Sequence, residues 1–242
     1  MRSVGVSILA AWRHWRDLGP LGLLLGGATL LPLLGSALLV AALPALEPHC
    51  QPASPATVAL FVLCLACCAG LALVNTQVVA LWAGYLWGFG VALAASYAGI
   101  MLAAILGRAL ATRLEGARFE PWLARSPRAA AIHAALAADP RGATTTTMLL
   151  RVSPIAPFAL VNVLLAAARV PFVAFLAGSA LGAVPRTALV CFAGAQLAAF
   201  DAQAAPEQWW RIAFAVASSA ALFAWLGWSA RRALARRFDA TT

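Results

Sequence analysis

Between Arg16 and Arg108 the chain carries no basic side chain, and its only acidic ones there are Asp17 and Glu47. Soluble domains are about one-quarter charged. A run this long and this poor in charge cannot present a solvated surface, so most of it must lie in lipid. The rest agrees: of 242 residues, 63% are hydrophobic and 10% charged. That length suits one compact membrane domain. The fold class expected is all-α and polytopic.

Charge placement sets the topology. The net charge of +9 comes from 17 basic residues, all Arg, against 8 acidic ones. They cluster at the two ends and in one middle segment, as in a membrane protein facing anionic lipid. Membrane lipids are therefore the expected partners, nucleic acid is not, and a homo-oligomer is left open. Basic segments mark the cytoplasmic side. Arg2, Arg13 and Arg16 put the N-terminal segment (1–20) inside. Residues 44–55 hold Glu47 and no Arg, so they lie outside. Arg108, Arg113, Arg118, Arg125, Arg128 and Arg141 make the middle segment (112–141) cytoplasmic. Residues 201–208, with Asp201 and Glu207, lie outside, and Arg231, Arg232, Arg236 and Arg237 bring the tail (231–242) back in. The first span is 21–43. "VGVSILAA" is followed by Arg13 and Arg16 instead of a cleavage site, so this span reads as uncleaved. The last span is 209–230, with Trp209, Trp210, Trp225 and Trp228 toward its ends.

Parity constrains what lies between. Residues 56–107 pass from outside to inside, which needs an odd number of crossings. A single crossing takes about 20 residues and three take about 60 plus turns, and neither length fits. One hairpin that enters and leaves on the same face, followed by one span, does fit. Residues 143–200 pose the same problem in the opposite sense, and Pro154, Pro157, Pro171 and Pro185 favour the same answer. The core (56–200) then holds a re-entrant hairpin at 58–88, a span at 90–108, a second hairpin at 144–168 and a span at 171–199. This is the outline of an inverted repeat.

The stretch "MLLRVSPIAPFALVN" (148–162) carries the chemistry. A guanidinium near mid-membrane costs roughly 2.5–3.5 kcal/mol on insertion scales, so Arg151 should face protein or water. Residues before proline are pushed out of helical geometry, which makes Ser153 and Ala156 extended. Non-helical backbone at that depth survives only in protein or beside a cavity. Pro157 suits the first turn of a new half-helix running to about Ala168, whose N-terminus would favour an anion. The guanidinium fork of Arg151 suits phosphate. Asn162, about 7–8 Å further along, can bond across the hairpin or to a ligand. Arg108 and Arg186 lie near span ends or within reach of them, as further anion contacts or as caps. Asn75, Thr76 and Gln77 read as the polar turn of the first hairpin, with contact to a ligand as the second reading.

Enzymatic chemistry is not expected. No His lies within the spans, so a serine nucleophile would have no base. H-E-x-x-H, G-x-S-x-G and the phosphate-binding G-x-x-x-x-G-K-[ST] pattern are absent. Cys64 and Cys67 form a C-x-x-C in an apolar run and read as packing residues. No catalytic residue, metal or cofactor is expected.

"LLRVSPIAPFALVN", with "AGSALGAVPR" after it and "AGYLWGFGVALAASYAGIMLAAILGR" before it, resembles the DedA superfamily. More closely it resembles the VTT-domain branch, also called SNARE-associated or TVP38-like membrane proteins. The resemblance covers about 75–196. It implies two facing re-entrant hairpins in a multi-pass protein, here of a bacterial inner membrane. It also implies lipid movement between leaflets, of phospholipid or undecaprenyl phosphate. Carried over by position, the motif residues are Gly84, Gly88, Arg108, Arg151, Pro154, Pro157, Asn162, Gly178, Gly182 and Pro185. Of these, Gly84, Gly88, Pro154, Pro157, Gly178, Gly182 and Pro185 would shape the hairpins. Arg151, Asn162, Arg108 and, beside that set, Arg186 would take the lipid phosphate. One departure is plain. The family's membrane-embedded acidic residues have no counterpart, because nothing acidic lies between Glu47 and Glu115. That points to passive scrambling or a different coupling ion. Two other functions fit the same residues: a secondary transporter of small anions, and a non-transporting assembly factor that works through its Arg clusters.

Overall fold

The computed structural model describes residues 20–115, 139–152 and 157–198, together with Ala224, Trp225, Trp228, Ser229 and Arg232. Among them there are six helices and no strand: α1 (Pro20–Cys50), α2 (Pro55–Gly70), α3 (Thr76–Glu115), α4 (Pro140–Val152), α5 (Phe158–Ala167) and α6 (Phe172–Ala198). Three stretches are long and apolar enough to cross a membrane: Leu30–Cys50, Thr76–Arg113 and Phe172–Ala198. Leu34, Leu38 and Val173 point outward with 64%, 72% and 77% of their surface bare, which suits lipid and not water.

Local signals explain the ends of the helices. Ser54 caps α2, its Oγ accepting from Thr57 N at 3.1 Å, and Pro55 sits in the first turn, where a missing N–H costs nothing. α2 and α5 stop in the same way. Leu73 N donates to Cys68 O (2.7 Å) and Ala72 N to Ala69 O (3.1 Å). Val170 N donates to Leu165 O (3.2 Å) and Arg169 N to Ala166 O (2.7 Å). Both are Schellman caps, with Ala72 (φ 61°) and Arg169 (φ 49°) in the left-handed position usually held by glycine. That conformation costs roughly 1–2 kcal/mol. Leaving the last carbonyls unpaired in an apolar setting would cost more.

Gly88 breaks α3 with φ 69° and ψ 177°, a conformation open essentially to glycine alone. The two parts, 76–87 and 89–115, lie along α6 in opposite senses. In the first part Gly84 abuts the Cys191 backbone and Gly194 abuts Leu81 O, so the two helices cross at contact distance. In the second, Tyr97 Oη donates to Ala180 O at 3.2 Å. α4 packs on the start of α6 through Gly178 and Gly182, which face Thr144 and Met148 carbonyls. Phe175, Val161, Leu165 and Val170 form a second buried apolar cluster with Ala104 of α3 and Ala143 of α4.

Several boundaries differ from the sequence reading. α1 continues past Leu43 to Cys50, through Pro44 and Pro48, which both lie on its exposed face. Pro157 is not the first helical residue. It is the N-cap of α5, extended at φ −55° and ψ 139°. Cys64 and Cys67 are exposed on α2 and pack no core. Pro154 falls outside the described residues, as do the N-terminal segment, most of 112–141 and most of the last span. Of that span's aromatics, Trp225 and Trp228 are exposed, and Arg232 stacks on Trp228 at 3.9 Å.

Candidate functional site

The helix carrying "TTTTMLLR" is described as far as Val152, and Pro157, extended at ψ 139°, precedes the next helix at Phe158, so the two are separate helices. Arg151, in the last turn of α4, is only 3% exposed. Its Nε donates to Ser179 Oγ on α6 at 3.1 Å, and its Nη2 donates to Asn162 Oδ1 on α5. Two aromatic faces flank the guanidinium, Phe158 at 4.7 Å and Phe175 at 5.5 Å. Nη1 of Arg151 and Nδ2 of Asn162 have no hydrogen-bond partner among the described residues. Such a group in a native interior calls for an explanation.

Two glycines make this placement possible. A Cβ on Gly182 would stand 2.6 Å from Arg151 Cβ, and one on Gly107 would stand 2.5 Å from Asn162 Nδ2. Any larger residue at either point would displace the side chain it faces.

Arg186 was expected near a span end or within reach of one, and it is buried instead of reaching an end. α6 continues through Pro185 to Ala198, which leaves Arg186 near the middle of the helix and 9% exposed. Its partner comes from the first half of α3. With the Gln77 amide turned so that its oxygen faces the guanidinium, that oxygen accepts from Nε and Nη2, both at 3.1 Å, and from Thr76 Oγ1 at 3.1 Å. The opposite setting would oppose donors to donors.

Arg151 and Arg186 line one cavity, shared with Ser179, Thr187, Phe158 and Ala104. It holds about 10 Å³, the room of a single water. Of the two settings the sequence allowed Arg151, protein or water, it has mainly the first. No acidic residue occurs from Thr76 to Arg113 or from Pro140 to Ala198, so neither guanidinium meets a carboxylate on these helices. Among the described residues, both are held by neutral oxygens.

The other sequence-chosen residues have different places. Arg108 does not line the cavity. Its Nη2 donates to Val170 O at the end of α5, and its guanidinium lies over Phe175 at 4.8 Å. It ties the second half of α3 to the α5–α6 turn. Gly84, Gly178 and Gly182 sit at helix crossings, and Gly88 makes the kink. Gln77 was read as part of a turn, with ligand contact as the second reading, and not as a partner of Arg186. The signal that could have singled it out is a long polar side chain beside a charge-free run, with an uncompensated Arg elsewhere.

A family model for the VTT domain matches residues 74–196. No curated protein and no solved structure matches the chain.

Proposed function

This chain belongs to the VTT-domain family, a family of membrane proteins, and from that premise we propose that it moves phosphate-bearing lipids between leaflets, with Arg151 and Arg186 as the headgroup contacts. The observation that carries the reading is the pair of buried guanidiniums on one cavity with no carboxylate from Thr76 to Arg113 or from Pro140 to Ala198. Burying an unpaired charge is expensive, and the usual remedy is an ion pair. The missing counter-charge is what an anionic ligand would bring. A phosphate offers paired oxygens that suit a guanidinium fork.

The same reading includes two re-entrant hairpins in an inverted repeat. Its support is positional. The turn 71–75 abuts Gly35 and Ser36, halfway along α1, and Ser36 Oγ accepts from Asn75 N at 2.8 Å. The other end of that helix pair lies at the end of α1, where Trp87 Nε1 donates to Cys50 O at 3.0 Å. The α2 pair thus extends along only half of α1. From the other side, the described part of α4 runs to Val152, with Arg151 beside Gly182 near the middle of α6. Gln77, just after the first turn, meets Arg186, and Arg151 lies in the last turn of α4. The chain would sit in a bacterial inner membrane with both termini cytoplasmic, act without a cofactor or covalent chemistry, and carry the phosphate along the hairpin tips while the tails stay in lipid. Phospholipid and undecaprenyl phosphate are the candidate cargoes.

The test is reconstitution. Purified protein in vesicles is expected to move labelled lipid phosphates across the bilayer and to leave entrapped inorganic phosphate in place. Release of inorganic phosphate without lipid movement would favour a small-anion transporter. Neither activity would favour an assembly role.

A further inference from the structure

Three neutral acceptors hold the two buried guanidiniums, and they are not equally fixed. Asn162 and Ser179 are each 1% exposed and locked between helices, whereas Gln77 is only partly buried. Gln77 is also the second residue of α3, directly after the turn 71–75. Its backbone N donates to Asn75 Oδ1 at 2.9 Å, so the main chain stays capped whichever way the side chain points. The cavity lined by Arg186 and Arg151 has room for one water and none for a tetrahedral oxyanion. An anion reaching Arg186 must therefore displace something, and Gln77 is the acceptor free to leave.

We infer that the Gln77 amide oxygen is a built-in occupant of the oxyanion position on Arg186, and that it sets which anions the site accepts. This rests on the proposed anion-binding role of the site. The amide satisfies Nε and Nη2 with one neutral oxygen. A phosphate monoester carries two oxygens and a charge to the same pair of donors, so it displaces the amide. A weakly hydrogen-bonding monovalent anion such as chloride does not. Gln77 is a specificity-determining residue on this account, and the chemistry it selects is phosphate, whether on a lipid or free.

The experiment measures equilibrium binding of inorganic phosphate and, separately, of short-chain phosphatidic acid to the purified full chain in detergent. Parent, Gln77→Met and Gln77→Glu are compared, with Tm recorded for each. Gln77→Met keeps the bulk and removes the competing acceptor, so it is expected to bind about tenfold tighter than the parent. It should also let chloride compete. Gln77→Glu places a carboxylate where the amide oxygen was, so it is expected to keep or raise Tm and to bind at least about tenfold more weakly. If Gln77→Met binds no tighter than the parent, or Gln77→Glu binds as tightly, the inference is overturned while phosphate binding stands. If inorganic phosphate follows the expected order and the lipid phosphate does not bind, the inference holds and the lipid function fails. If no protein binds either ligand, both fail.

Discussion

Arg151 on α4 and Arg186 on α6 share one water-sized cavity, and each is held by neutral oxygens: Ser179 and Asn162 for the first, Gln77 for the second. Two like charges drawn together in an apolar interior are costly unless something else is gained. The gain proposed here is affinity for a visiting anion.

Supplying the counter-charge internally should therefore stabilise the protein and inhibit it. Asn162→Asp places a carboxylate on Arg151 Nη2 at the position of the present amide oxygen. A thermal melt is expected to show a higher Tm, and vesicle assays are expected to show lipid-phosphate movement reduced about tenfold or more. Asn162→Leu works in the opposite direction on stability. It strips an acceptor from a buried charge and costs about 1–3 kcal/mol. If Asn162→Asp moves lipid as fast as the parent, the uncompensated charge is not what the site uses.

The α4–α6 crossing makes a second prediction. Gly182→Ala would set a Cβ 2.5 Å from Met148 O, a backbone atom that can retreat only if α4 moves. Alanine's helix advantage over glycine is about 1 kcal/mol. Overpacking typically costs about 1–3 kcal/mol, so the clash wins and Tm should fall. Gly90→Ala is the control, since nothing lies within 4 Å of its Cβ. Its Tm should hold or rise. Equal melts for the two variants would contradict the packing described.

Gly88→Ala separates space from conformation. A Cβ there meets nothing within 4 Å, yet φ is 69°. The expected loss is about 1–3 kcal/mol from backbone strain alone. Loss of the kink would also swing Gln77 away from Arg186, so a change in phosphate affinity should accompany the fall in Tm.

Energy coupling follows from composition. No carboxylate lies between Glu47 and Glu115, and the side chain that meets Arg186 is an amide, which cannot carry a proton. Lipid movement by the parent is expected to run at the same rate with and without a pH gradient. A rate that tracks the gradient would require a proton carrier elsewhere in the chain.

Much of this site could be read from spacing. Pro154 and Pro157 after Arg151 announce a helix that stops, because proline restricts its own φ and its predecessor's ψ. Gly178 and Gly182, four apart, mark a helix face open to close approach. What spacing could not show was depth and pairing. Arg186 falls inside the span expected at 171–199, but its burial, at 9% exposed, comes from the helices packed around α6. Gln77 looked like turn filler, since its meeting with Arg186 depends on the crossing of α3 and α6 at Gly84 and Gly194, far apart in the chain. The closed state of the cavity is likewise a property of packing among four helices and is written in no single segment.

The most direct measurement compares Arg151→Gln with the parent in sealed vesicles, following the initial rate at which a labelled lipid phosphate crosses the bilayer. Glutamine keeps a hydrogen-bonding head for Ser179 and removes the charge. The account predicts a fall of about tenfold or more, with a labelled neutral lipid unaffected by the change. A folded Arg151→Gln protein that moves lipid phosphate at the parental rate would contradict it.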